Sequence, residues 1–306
     1  MKGEIHMKNV MIIITLITMA AVSVPAQRVA SDGLRNTNTN TKMLYHGGPL
    51  MFGTSDLYLI WYGCWTNGCG NSGSPVTTDV VTLFAQGIGG SPYFQLNHLY
   101  VNANGQGPSG GLLHGGSIFD STYSHGLDLT QADIEDIVTQ KIESNALPQD
   151  PGGLYIVIAS ADVASNATGF CSPENVPPLH WRTEALGSMA IYGFLGNPKR
   201  CPTLEAPQFT TTNGALLPTP NDDFAGDSIV TNLAHLLNAM VSDPYKNAWY
   251  DRYGLENADK CQGTFGQTWT ASNGARANIR LSGRDYLIGQ NWVNDKNGRC
   301  GMQWGR

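Results

Sequence analysis

Short apolar runs that alternate with amphipathic stretches predict an α/β (or α+β) chain. The expected form is a single layered domain with a mixed sheet, flanking helices, many loops and disulfide staples. Residues 57–62, 154–160 and 190–195 are nearly continuous apolar runs bounded by Gly, Asp or Pro, the pattern of strands covered on both faces. Residues 76–85 and 130–145 lie between them as helix candidates, the second with Thr130 as N-cap and Asp133 in its first turn, and strand–helix alternation implies layers. The 36 Gly, the 16 Pro and a charged fraction of only 14%, against about 25% in a typical domain, indicate many turns.

In chain order, Lys2 and Lys8 precede an apolar run over residues 10–22 and then Val24-Pro25-Ala26, with small residues where a signal peptidase reads. The run is too short to span a bilayer, so residues 1–26 are expected to be a secretory signal peptide and Gln27 the mature amino terminus. Met7 is an alternative start. Removing one Glu and two Lys leaves 23 acidic and 16 basic residues of the original 24 and 18, a net charge of −7. Without a Lys or Arg cluster, that balance argues against nucleic acid or anionic lipid as partner. Residues 27–43, with Asn36-Thr37-Asn38-Thr39-Asn40-Thr41, have little to bury and are expected to be a disordered polar linker. Residues 44–306 then form one domain.

Six Cys in a secreted chain favour disulfides and allow about fifteen pairings. Cys64 and Cys69 are near enough to close a local loop, Cys171 and Cys201 flank a loop and strand, and Cys261 and Cys300 tie down the carboxy-terminal part. The chain has no CxxC, so neither a zinc ribbon nor a thioredoxin-type site is indicated. Asn166-Ala167-Thr168 is an N-glycosylation acceptor sequence in a eukaryotic host. Residues 105–110 fit a dinucleotide fingerprint and residues 107–111 a nucleophile elbow, but Gly115 and Gly116 interrupt the helix that either would require. His114 and His125 share this Gly-rich stretch without a nameable partner.

A helix is expected over residues 228–242, with Asp227 as N-cap and Pro244 as the stop. Ile229, Leu233, Leu236, Leu237 and Met240 form one apolar face, and Thr231, Asn232, His235, Asn238, Ala239 and Ser242 the other. His235 with Asp243, Glu256 and Asp259 is the candidate metal set, with Asp251 nearby, since zinc takes three protein ligands and a water in catalytic sites. The plainer reading makes His235 a hydrogen-bonded helix residue and the carboxylates turn caps. Trp249, Tyr250 and Asp251 are core anchors on one reading and a saccharide-binding platform on the other.

Taken together, Tyr45-His46-Gly47-Gly48-Pro49, residues 58–63, Gly89-Gly90-Ser91-Pro92-Tyr93, Asn247-Ala248-Trp249-Tyr250-Asp251, Glu256-Asn257-Ala258-Asp259-Lys260-Cys261 and Gln290-Asn291-Trp292-Val293-Asn294 give the chain its kinship. It resembles the phosphate-induced protein 1, or EXORDIUM-like, family. Many microbial members of that family carry His-Glu-x-x-Glu on the helix, a metallohydrolase arrangement in which a zincin-like architecture would fit. Here His235 remains, but the base position is Leu236 and the second ligand position Ala239. Relatives commonly have two further Cys near the positions of Cys171 and Cys201, and their joint loss implies a Cys171–Cys201 bridge. Cys64 and Cys69 have no counterpart in that pattern, which fits a private local bridge.

The resemblance implies a secreted, extracellular protein that binds a cell-wall polysaccharide or surface partner without turnover, with no cofactor. A zinc-dependent hydrolase or peptidase with a divergent site is the alternative, and a purely structural disulfide-stapled domain a third reading.

Overall fold

The computed structural model describes residues 41–174 and 177–304. The expected signal peptide and most of the expected linker lie outside the described residues. The last linker residues are a correction: Thr41 and Met43 are buried, Met43 in an apolar cluster with Leu50, Tyr100, Trp249 and Trp292, so the packed domain begins by residue 41.

The core is a five-stranded sheet of β1 (Ser55–Tyr62), β2 (Leu112–Asp120), β3 (Gly153–Ala159), β4 (His180–Ala185) and β5 (Ser188–Leu195). Their spatial order is β2-β1-β3-β5-β4, all parallel except β4, which runs antiparallel to β5. Helices α1 (Pro75–Ile88) and α3 (Phe224–Ser242) cover one face and α2 (Gln131–Glu143) the other. Alternate residues of β1 divide accordingly: Leu57, Leu59 and Trp61 pack toward α1 and α3, and Tyr58, Ile60 and Tyr62 toward α2. Two-sided burial is why β1, β3 and β5 read as continuous apolar runs.

The edge strands β2 and β4 carry no such run. In β2 every second residue is turned outward, and Gly115 sits at a bulge where the pairing with β1 shifts between Leu57 and Tyr58. A Cβ on Gly115 would lie 2.6 Å from the Tyr58 ring, so glycine is required where the strand crosses that side chain. His114 and His125 therefore belong to this edge: His114 Nε2 lies 2.9 Å from Ser117 Oγ, and His125 faces Asp133 and Asp136 of α2 at 3.7 and 3.4 Å.

Helix α2 begins as its sequence indicates, with Thr130 and Asp133 in a reciprocal capping box. Helix α3 starts a turn earlier than expected. Its N-cap is Asp223, whose carboxylate accepts from Gly226 N at 2.6 Å, while Asp227 lies inside the first turn. Asp227 is buried and accepts from Asn221 N and Nδ2 at 2.8 and 2.6 Å. Burial, only partly offset by these bonds, lifts its carboxyl from 3.8 to about 6. The folded chain thus keeps a proton that the unfolded chain releases above about pH 4. On this account stability is greatest below about pH 4 and falls by about 3 kcal/mol as pH rises through 6. Urea unfolding at pH 4 and pH 7 should show Asp227→Asn gaining relative to the wild type by that amount at the higher pH; identical pH slopes would refute the assignment.

Beyond the sheet the chain forms two-stranded ribbons, among them Leu44–Tyr45 with Trp249–Tyr250 and Asn291–Val293 with Arg299–Gly301. Disulfides join Cys64 to Cys69, Cys171 to Cys201 and Cys261 to Cys300. On the loop-entropy account the first contributes about 2 kcal/mol and the two longer loops about 4 kcal/mol each. Among the described residues no helix is long and apolar enough to cross a membrane.

Candidate functional site

Helix α3 sets the geometry. Its apolar residues Ile229, Leu233, Leu236, Leu237 and Met240 are fully buried against the sheet and α1. The opposite side is less polar in its surroundings than the helical wheel implies, since Asn238, Ala239 and Ser242 are also buried. Asn238 Nδ2 donates to Tyr93 Oη at 3.1 Å, and Asn97 Nδ2 donates to Asn238 Oδ1 at 2.8 Å. Asn257 Nδ2 donates to Ser242 Oγ at 2.9 Å and to the Asn238 carbonyl at 3.1 Å. A satisfied buried amide network of this kind docks the 256–261 segment on the helix.

Only the Thr231–His235 turn reaches an open cleft of about 410 Å³. Its lining includes Asn232 and His235 from α3, Glu205 and Gln208 from the short helical turns after β5, and Gln262 and Gln290 from the carboxy-terminal segments, with Pro177, Pro178 and Phe265 as apolar walls. His235 Nε2 lies 2.9 Å from Asp259 Oδ1, and the other Asp259 oxygen accepts from Glu256 N at 3.0 Å. The imidazole is thereby held by a carboxylate that is itself fixed by backbone, which orients the ring at the cleft wall. Glu205 is raised above the ordinary carboxylate range by burial, against a 2.8 Å hydrogen bond from Cys171 N.

The four residues of the candidate metal set fall into two places. His235 and Asp259 pair at the cleft. Asp243 caps the end of α3, where its Oδ1 accepts from Asn247 N and Ala248 N at 2.7 and 2.6 Å. Its carbonyl accepts from His180 Nε2 at 3.0 Å, and Glu256 Oε1 stands 3.7 Å from the same nitrogen. Burial lifts the Asp243 carboxyl to about 6 despite those backbone donors. Among the described residues no three His, Cys, Asp or Glu side chains gather as a metal ion would need. His235, Asp243, Glu256 and Asp259 as placed do not surround one zinc position.

Residues 249–251, read as core anchors or as a saccharide platform, pack mainly as anchors. Trp249 is buried, with its ring centroid 5.7 Å from Tyr45 and 5.6 Å from Tyr100. Tyr250 has one ring face covered by His46 at 3.7 Å, and Asp251 is fully buried. The cause is the ribbon with Leu44–Tyr45, which lays the amino-terminal segment over these side chains.

Glu205, Gln208, Gln262 and Gln290 were not singled out by composition or periodicity. Gln262 follows Cys261, and Gln290 opens the Gln290-Asn291-Trp292 anchor of the family resemblance, so a signal for those two existed without a role attached.

The comparisons agree with that resemblance. The region described as "Phosphate-induced protein 1 conserved region" matches residues 43–286. Protein EXORDIUM-like 3 of Arabidopsis thaliana is 27% identical over 288 residues, 86% of this chain and 84% of that protein. Protein EXORDIUM of the same plant is 27% identical, covering 82% of each chain, and Protein PHOSPHATE-INDUCED 1 of Nicotiana tabacum 26%, covering 74% of each. No solved structure matches. With the match covering residues 43–286, well over half of its length, the chain belongs to the phosphate-induced protein 1 family.

Proposed function

We propose that this chain is an extracellular member of its family that holds a hydroxyl-rich partner, such as a cell-wall polysaccharide, in the His235 cleft without turning it over. The observation that carries the reading is the cleft itself. Its volume lies within the range of small-ligand sites. Four side-chain amides, one imidazole, the Glu205 carboxyl and two hydroxyls, those of Tyr93 and Thr231, line it beside proline and phenylalanine faces. Amides supply paired donors and acceptors without net charge, which suits vicinal hydroxyls, and flat apolar walls suit sugar rings. Hydrolysis lacks support here because Leu236 and Ala239, which stand where a base and a second ligand would be, are buried and carry no ligand atom. Three disulfides fit an oxidising, extracellular compartment.

Calorimetric titration with soluble fragments of wall polysaccharides tests the reading. At least one fragment should bind, and Gln290→Ala and His235→Ala should each weaken it by about tenfold, the cost of one or two lost hydrogen bonds. The absence of binding across neutral and acidic polysaccharides, or stoichiometric zinc with peptide cleavage that His235→Ala abolishes, would replace it with another function.

A further inference from the structure

The crevice outside the carboxyl ends of β1 and β3, where the connection from β1 leads to β2 on one side and that from β3 to β4 and β5 on the other, is the usual ligand position in doubly wound sheets. Here the residues after β1 occupy it. Gly63 adopts φ +98°, and a Cβ there would lie 2.0 Å from Ser160 Oγ at the end of β3. Cys64 N donates to the same Ser160 oxygen at 3.2 Å. Trp65 is buried edge-on against Trp61, ring centroids 4.9 Å apart, and its Nε1 donates to the Tyr62 carbonyl at 3.1 Å. The root of the loop is thus held without the help of the disulfide.

The tip differs from the root. Thr66, Asn67, Gly68 and Gly70 are exposed, and Cys64 and Cys69 are partly so. Cys69 Sγ accepts two hydrogen bonds from one residue, Thr66 N at 3.0 Å and Thr66 Oγ1 at 3.2 Å; a bridged sulfur has no proton, so the hydroxyl is the donor. A sequence separation of 5 constrains the unfolded chain least among the three bridges, which span 5, 30 and 39 residues. A bridge that the fold needs little, on an accessible loop with donors aimed at one sulfur, has the features of a reactive disulfide rather than a staple.

We propose that Cys64–Cys69 is a thiol-exchange site whose substrates are small thiols. A thiolate attacks Cys64 Sγ, and the new sulfur–sulfur bond forms as the Cys64–Cys69 bond breaks. The electron pair goes to Cys69 Sγ, which leaves as a thiolate held by the Thr66 N–H and O–H. A second thiolate then attacks the mixed disulfide at its external sulfur and releases Cys64 as a thiolate and the oxidised thiol as its disulfide. The bridge gains two electrons and two thiol molecules are oxidised to one disulfide.

The test uses the folded, full chain exposed to reduced glutathione without denaturant, quenched by alkylation and mapped by mass spectrometry. Cys64 and Cys69 should be labelled at least about tenfold faster than the other four cysteines, with the glutathione adduct on Cys64 and the circular dichroism spectrum unchanged. Thr66→Val should slow the exchange at this bridge about threefold, through loss of one donor to the departing sulfur, and leave the others unaffected. Reduction of all three bridges together, an adduct mainly on Cys69, or an unaltered rate in Thr66→Val overturns the proposal. So does failure of Cys64→Ser/Cys69→Ser to fold, which would make the bridge a structural staple.

Discussion

Asp251→Ala destabilises the protein by about 3–5 kcal/mol, the scale for leaving one member of a buried ion pair uncompensated. The Asp251 and Lys260 side chains are both 0% exposed, with Nζ 3.3 Å from Oδ2. Thr41 joins them, accepting from Lys260 Nζ at 2.7 Å and donating to Asp251 Oδ2. The other Asp251 oxygen accepts from Tyr253 N and Leu255 N at 2.9 and 3.1 Å, and the ammonium lies 4.5 Å from the Trp292 ring centroid. Burial already lowers the Lys260 pKa, and Asp251 is what opposes it. Removing the carboxylate leaves that ammonium in an apolar cluster and frees two backbone donors. In the double variant Asp251→Leu/Lys260→Met no charge is stranded, and much of the loss should return. Urea unfolding of both variants decides the matter; a change below about 1 kcal/mol in Asp251→Ala would show that the pair is hydrated.

Leu236→Glu, which places a carboxylate beside the helix histidine, is expected to destabilise by about 5 kcal/mol or to prevent folding, without producing a hydrolase. Leu236 is fully buried between α3 and the sheet, and a Cβ on Gly193 of β5 would come within 2.7 Å of its Cδ2. A carboxylate there would lose its hydration with no cation in the surrounding apolar cluster, and the leucine packing would be lost as well. By contrast Leu236→Met keeps shape and polarity and should cost less than about 1.5 kcal/mol. Thermal unfolding with a peptidase assay on the same samples checks both, and a stable Leu236→Glu protein with metal-dependent cleavage would show that residue 236 can turn to the cleft.

The helical wheel places Leu236 on the apolar face of α3 but does not show that the opposite face is covered as well. A period of 3.6 assigns Asn238 and Ser242 to the side opposite Leu233 and Leu237, and they are there, yet that side is covered by Asn97 and Asn257 from segments 141 and 15 to 19 residues away in sequence. Periodicity reports which residues share a face; what lies against the face is a long-range matter.

The sequence by itself determined the three interior strands, the capped start of α2, the helix that carries His235 and the family. Each is written locally: an apolar run for a strand covered on both sides, a Thr–Asp pair three apart for a capping box, and a set of ordered motifs for kinship. The tertiary structure alone decided the edge strands β2 and β4, because one-sided pairing leaves alternate residues outward and admits Gly115. It also decided which chemistry-bearing residues meet. Asp259 reaches His235 while the Asp243 carboxylate takes up Asn247 N and Ala248 N and Glu256 stands by His180, and Asp251 closes on Lys260 and Thr41 across 9 and 210 residues of chain. A carboxylate's role is set by the cation or donor that packing brings within about 3 Å, and no sequence spacing encodes that partner.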